Sequence, residues 1–192
     1  MALSTKPAPI WPHESASAPD VPNSALMLNL AELYEHHLHD VWRLLARLGV
    51  PASELEDAAH EVFLIAFKRT ADYQARSSQK TWLFGIATRV ASNWRRSARR
   101  RGVGEPLPLA LADPRPSPEA VSESGMKIAA LHRVLQLLPV ALREVFVLVE
   151  LEGLSGPEIA QALDCNLNTV YSRLRVARST FEAVVANERL DE

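Results

Sequence analysis

Proline placement limits this chain more than any other feature. Ten of its 13 prolines fall in two clusters, Pro7, Pro9, Pro12, Pro19 and Pro22, then Pro106, Pro108, Pro114, Pro116 and Pro118. Proline has no amide proton for a helix or sheet ladder, and it biases the preceding residue toward extended backbone. The clusters therefore predict a disordered N-terminal tail over 1–23 and an extended linker over 102–122. Two blocks remain, 24–101 and 123–187, each large enough for a modest core. Glycine is scarce, at 7 of 192 residues, and no segment alternates polar and apolar residues with period two. Both facts argue against strands. The expected fold is all-α, with two small helical domains joined by a flexible linker.

Apolar spacing supplies the helices. Leu30, Leu33, Tyr34, Leu38, Val41, Leu44, Leu45 and Leu48 keep one face of a helix from about Ser24 to Leu48. Gly49 and Pro51 end it. Ser53-Glu54-Leu55-Glu56 has the capping-box pattern, so the next helix should begin there and bury Ala59, Val62, Phe63, Ala66 and Phe67. Thr70–Lys80 reads as a loop. A third helix is expected from about Gln79 to Arg101, with Trp82, Ile86, Val90 and Trp94 apolar. Four helices are expected in the second block, over 123–137, 139–151, 155–163 and from 168 or 169 to 185. Ser155-Gly156-Pro157-Glu158 forms a second capping box, in which proline is tolerated in the first turn.

Charge distribution says more than the net charge of −2. Arg89, Arg95, Arg96, Arg99, Arg100 and Arg101 lie in thirteen residues without an acid, and Arg173, Arg175 and Arg178 lie in a second acid-free stretch. Glu54, Glu56, Asp57 and Glu61 gather elsewhere. Two local basic surfaces on an acidic chain suggest two polyanion contacts and a separate acidic face. The six arginines closing the third helix also suit its macrodipole, which is a purely structural reading of the same residues.

The last two helices form a helix-turn-helix pattern: a short capped helix, a tight turn over 164–167 and a longer basic helix. Ile159, Ala160 and Leu163 supply the apolar face of the first, with small Ala160 permitting close approach. Val170, Leu174, Ala177 and Phe181 form one inward stripe of the second. Ser172, Arg175, Val176 and Ser179 then point away from it, while Tyr171, Arg173 and Arg178 flank it. A polar, cationic outer face suits a helix in a major groove.

These residues resemble a known family. Leu138-Pro139, Arg143-Glu144-Val145-Phe146, Glu152-Gly153-Leu154-Ser155, Glu158-Ile159-Ala160, Thr169-Val170, Ser172-Arg173-Leu174 and Ala177-Arg178 are similar to the C-terminal promoter-binding domain of bacterial sigma factors. Glu56-Asp57, Glu61-Val62-Phe63, Trp82-Leu83, Ile86-Ala87, Asn93 and the Arg-rich end resemble the other sigma domain. Two domains with a short linker match the extracytoplasmic-function (ECF) group. The resemblance implies an alternative sigma factor that binds core RNA polymerase, directs it to specific promoters and helps open them. It implies that Glu56, Asp57 and Glu61 dock on the polymerase β′ clamp helices, and that the β subunit is also contacted. It implies −10 contacts from Tyr73, Lys80, Trp82, Arg89, Asn93, Arg95 and Arg96, with a flipped base captured there. The −35 set it implies is Asn168, Thr169, Ser172, Arg173, Arg175 and Arg178. Geometry favours Arg175 as the base reader, whereas the resemblance favours Ser172 with Arg173. An anti-sigma factor is the further partner implied. The chain departs from the family pattern at His60, Gly156-Pro157, Asn168, Tyr171 and Val176.

Other function classes find little support. No Gly-rich phosphate loop, nucleophile motif or catalytic carboxylate pair is present, so neither an enzyme nor a cofactor is expected. His36, His37 and His39 lack companions at metal-ligand spacing, so no metal is expected. Cys165 is the single cysteine, which excludes an intrachain disulfide. No apolar run approaches the roughly 18 residues of a membrane span, and the N-terminus lacks a signal-like apolar region, so a cytoplasmic protein without membrane insertion is expected. A DNA-binding regulator acting without polymerase would need neither the acidic helix nor the Arg-rich one. A protein-interaction adaptor would not need Arg173, Arg175 and the 95–101 cluster.

Overall fold

The computed structural model describes residues 30–70, 73, 77–101 and 121–188. The expected tail over 1–23 and nearly all of the expected linker lie outside these residues. The described residues form helices only: α1 (Leu30–Arg47), α2 (Leu55–Lys68), α3 (Gln79–Arg100), α4 (Val121–Leu137), α5 (Val140–Phe146), α6 (Gly156–Ala162) and α7 (Leu167–Glu188). A π-helical turn, Val147–Leu151, extends α5.

Helix ends follow local chemistry. Gly49 takes the left-handed conformation (φ +88°). Its N–H bonds to the Ala46 carbonyl, and that of Val50 bonds to Leu45, a Schellman stop for α1. The capping box expected at Ser53 does not form. Pro51 instead starts a 3₁₀ turn over Ala52–Glu54, and α2 begins at Leu55 without a side-chain cap. The fixed φ of Pro51 favours that tighter turn, and the Glu54 carboxylate is drawn to Arg101 at the end of α3. Ser78 caps α3 by accepting from the Thr81 N–H at 3.1 Å. The second box forms as expected: Glu158 Oε2 accepts from the Ser155 N–H at 2.9 Å and the Ser155 hydroxyl at 2.7 Å. α4 already includes Val121 and Ser122, two residues expected in the linker.

The first block packs α1, α2 and α3 around Leu33, Val41, Leu44, Leu45, Leu55, Val62, Leu83, Phe84 and Val90, all at most 2% exposed. The second packs α4–α7 around Leu135, Leu148, Ile159, Val170 and Ala177, each fully buried. Phe67, expected inside, is 60% exposed on the last turn of α2.

The two blocks also pack on each other, and their buried residues form one continuous cluster. α3 lies against α6, with Gly85 facing the Ala162 backbone. A Cβ on Gly85 would stand 3.1 Å from the Ala162 carbonyl oxygen and 3.3 Å from its Cα. α1 ends against α4 and α5. A Cβ on Gly49 would meet Gln136 Oε1 at 2.5 Å and Arg143 Nη1 at 2.7 Å.

Candidate functional site

Three surfaces carry the residues singled out from sequence, and the structure treats them differently. On α7, the outward face is as expected. Asn168, Ser172, Arg175, Val176 and Ser179 are exposed, Thr169, Arg173 and Arg178 are half-buried, and Val170, Leu174 and Ala177 are at most 5% exposed on the opposite side. Asn166 Oδ1 accepts from the Asn168 N–H at 2.8 Å and starts the helix one residue earlier than expected. Asp164 makes the turn with φ +51°. Arg178 is partly committed, pairing through Nη2 with Glu150 Oε1 at 2.7 Å. On α6 the fully packed positions are Gly156, Ile159 and Ala162, while Ala160 and Leu163 are only half-buried. The close approach assigned to Ala160 occurs instead at Gly156, where an added Cβ would stand 3.0–3.1 Å from the Tyr171 ring carbon and hydroxyl. Two departures from the family pattern thus meet: the missing side chain at Gly156 makes room for Tyr171.

On α2, Glu56 and Asp57 are exposed in the first turn, where the helix dipole favours carboxylates. Glu61 is half-buried and accepts from Trp94 Nε1–H at 2.6 Å. That bond ties α2 to α3 and explains how Trp94 satisfies its polar atom. Beside the acids, a cavity of about 500 Å³ opens between Tyr34, Leu38, His39, Trp42, Glu56 and His60. His36 and His37, one residue apart, face different ways: His36 Nδ1 lies 2.7 Å from the Glu32 carbonyl oxygen, and His37 Nδ1 lies 3.9 Å from Asp40.

The third surface is α3 and the loop before it. Tyr73 and Trp82 are brought together, ring centroids 5.2 Å apart, and the Tyr73 hydroxyl donates to the Ser77 carbonyl at 2.9 Å. Burial pushes the Tyr73 phenol above its ordinary pKa. Arg89 and Asn93 are exposed, as is Arg96, which donates to Asn93 Oδ1 at 2.6 Å. Arg95 does not join them. It is 8% exposed, donating to the Leu48 carbonyl at 2.5 Å and to Glu144 Oε1 at 2.8 Å. Lys80 lies over the Phe84 ring at 5.1 Å and stands 3.5 Å from Glu152 Oε2.

Glu144 and Glu152, the partners of Arg95 and Lys80, stand in the family motifs, but their pairing across the blocks has no signal in the sequence. Glu152 is buried and also pairs with Arg47 at 2.5 Å. Glu158 accepts from the Thr81 hydroxyl at 3.0 Å. Burial raises the Glu158 pKa, but the hydrogen bonds from Ser155 and Thr81 outweigh it and hold the carboxyl below its ordinary value. These pairs join residues 49 to 105 positions apart, and no local pattern marks them.

Comparison with known proteins agrees with this layout. The family described as Sigma-70 region 2 matches residues 33–101, and that described as Sigma-70, region 4 matches residues 128–181. The RNA polymerase sigma-H factor of Pseudomonas aeruginosa is 31% identical over 75% of this chain and 79% of its own length. The ECF RNA polymerase sigma-E factor of Escherichia coli is 30% identical over 78% of this chain and 83% of its own. Among solved structures, the sigma factor RpoE of Bartonella quintana, in complex with the anti-sigma factor NepR, covers 81% of this chain and 96% of its own. It superposes with a TM-score of 0.65 at 20% identity, a likeness of fold. With both sigma regions matched and relatives at this identity over most of their length, the chain belongs to the ECF group of RNA polymerase sigma factors.

Proposed function

We propose a division of labour within an alternative sigma factor that binds core RNA polymerase, directs it to promoters and assists their opening. The observation that carries it is the two-faced α7. Its buried stripe fixes it to the α4–α6 platform, and its free face offers Asn168, Thr169, Ser172, Arg173 and Arg175 to the −35 element. Arg175 is exposed and reaches base edges, while half-buried Arg173 is placed for a phosphate. Arg178 contributes once its pair with Glu150 is exchanged for DNA.

The α3 surface takes the −10 element. The Tyr73–Trp82 pair offers stacking to an unpaired base, which offsets part of the few kcal/mol that flipping costs. Arg89, Asn93 and Arg96 hold the backbone. Lys80 and Arg95 join them only when their ion pairs with the second block are broken. Glu56 and Asp57, with Glu61 behind them, dock on the polymerase clamp. Region 2 over 24–101 and region 4 over 123–187 are the functional units of this reading. An anti-sigma factor, as seen bound to the Bartonella quintana relative, is its third partner. The role needs no catalysis or cofactor from this chain and places it in the cytoplasm with the polymerase. No helix among the described residues is long and apolar enough to cross a membrane.

The test is transcription in vitro from a pooled library of bacterial promoter fragments, using core polymerase and the full chain. Specific transcripts should depend on the chain. Asp57→Arg should abolish them by weakening core binding, with helix content by circular dichroism unchanged. Absence of transcripts above core enzyme alone would overturn the proposal, and full activity of Asp57→Arg would overturn the docking assignment.

A further inference from the structure

The outward face of α7 carries an exposed valine among its polar residues. Val176 is 42% exposed and stands outside the hydrophobic core cluster. Tyr171, the other large exposed apolar side chain of α7 among the described residues, leans on α6, where an added Cβ at Gly156 would stand 3.0 Å from its ring. Valine is also a poorer helix former than lysine, arginine or glutamine, so local propensity does not favour it at an exposed position. A single exposed apolar residue is ordinary on an arbitrary surface. Val176 stands instead on the face of α7 assigned to DNA, with Ser172 one turn before it and Thr180 one turn after. It is also a position at which the chain departs from the family pattern.

The hydroxyl groups around Val176 point their protons back into the helix. Ser172 donates to the Thr169 carbonyl at 3.0 Å, Ser179 to the Val176 carbonyl at 3.0 Å, and Thr180 to the same carbonyl at 2.8 Å. A hydroxyl that donates to its own helix keeps only lone pairs for a ligand. This patch therefore offers acceptor oxygens and methyl groups. In the major groove guanine shows only acceptors, N7 and O6, and finds no donor in the patch. Cytosine shows a donor but no methyl group. An A·T pair shows both: the adenine N6 amino donor and the thymine C5-methyl group.

We infer that Val176 is a specificity-determining residue that selects thymine in the −35 element by packing on its C5-methyl group. The Ser172 oxygen, one turn earlier, accepts from the N6 amino group of an adenine beside it. Arg175, the next residue round the helix, supplies the donor for a neighbouring base pair. The element read by this chain is thereby an A·T step flanked by an arginine contact. This inference deepens the −35 reading of α7 and rests on it.

The test uses the full chain with core polymerase and a promoter fragment recovered from the transcription pool. Each thymine of its −35 region, on either strand, is replaced in turn by deoxyuridine, which lacks only the C5-methyl group. For the wild-type chain one such replacement should weaken binding about fourfold, close to the contribution of one buried methyl group. Val176→Ala should bind the thymine fragment about fourfold more weakly and no longer distinguish thymine from deoxyuridine at that position. Its helix content by circular dichroism should be unchanged. The inference is overturned if no thymine methyl matters to the wild-type chain, if the methyl dependence survives in Val176→Ala, or if the −35 region holds no thymine. Arg173→Ala and Arg175→Ala report on the reading beneath it. Weaker binding of these two variants with no effect of deoxyuridine keeps α7 as the reader and removes Val176 alone. If neither the arginine variants nor deoxyuridine changes binding, or the pool yields no promoter, the −35 reading fails and the inference with it.

Discussion

α3 and α7 are both 22 residues long, both carry arginines, and both are proposed here as promoter-contacting helices. Their surroundings differ. α3 is wedged among α1, α2 and α6, and eleven of its residues are buried, Arg95 included. Among the described residues of α7, Val170, Leu174 and Ala177 alone are buried. A helix packed on several sides spends its polar side chains on holding neighbours, whereas a helix packed on one side keeps them for a ligand. Arginine content therefore does not rank the two as DNA readers; the number of packed sides does.

The largest expected effect would break the comparison at the core. Phe84→Ala, which empties a fully buried site in α3, should cost about 3–5 kcal/mol. Val176→Ala, at a 42% exposed site on α7, should stay within about 0.5 kcal/mol. Urea denaturation of the two variants measures both, and equal losses would show that α3 is not the more deeply packed helix.

The next effect separates the arginines. Arg95→Ala removes two charge-assisted hydrogen bonds at a buried site and should destabilise the fold by about 2–3 kcal/mol. Arg175→Ala should leave the melting temperature unchanged and relax discrimination at one −35 base pair by about 1–3 kcal/mol. Arg173→Ala should weaken all sequences alike and reduce the salt slope by about one. Binding to wild-type and single-base-changed −35 duplexes at two salt concentrations separates these outcomes. Preference lost with Arg173 and kept with Arg175 would exchange their roles.

The smallest effect sharpens the comparison at the base of the block contact. Burial, and then the positive charge of Arg47, hold the pKa of His132 below the ordinary 6.5. The folded chain keeps this imidazole neutral while the unfolded chain takes up a proton. Stability should thus be full above pH 6.5 and decline as pH falls below it. His132→Gln should flatten that slope in part, with the remainder belonging to half-buried His37, whose pKa is lowered by burial first of all. Denaturant midpoints measured at pH 7.5 and pH 5.5 read the difference. An unchanged slope would show that His132 is not the responsible group.

Much of the site was legible in sequence because its signals are local. The stripe Val170, Leu174 and Ala177 sets which face of α7 is free, since one turn of helix fixes the bearing of every neighbour. The Ser155–Glu158 box marked the start of α6 from four consecutive residues. The same logic failed at Ser53, where one proline two residues earlier outweighed the capping pattern, and at Phe67, where spacing alone cannot tell whether a helix lies above.

What the sequence determined by itself was therefore the helical class, the bearing of α7, the exposed acids Glu56 and Asp57, and membership in a two-region family. Only the tertiary structure decided that Arg95 is buried, that Glu61 is tied to Trp94, that Gly85 is a contact point and that Glu144, Glu152 and Glu158 face the other block. Periodicity and capping act over four residues and can be read along the chain. Pairing across 49, 77 or 105 residues depends on which helix faces meet in space, and that is set by the packing of the whole molecule.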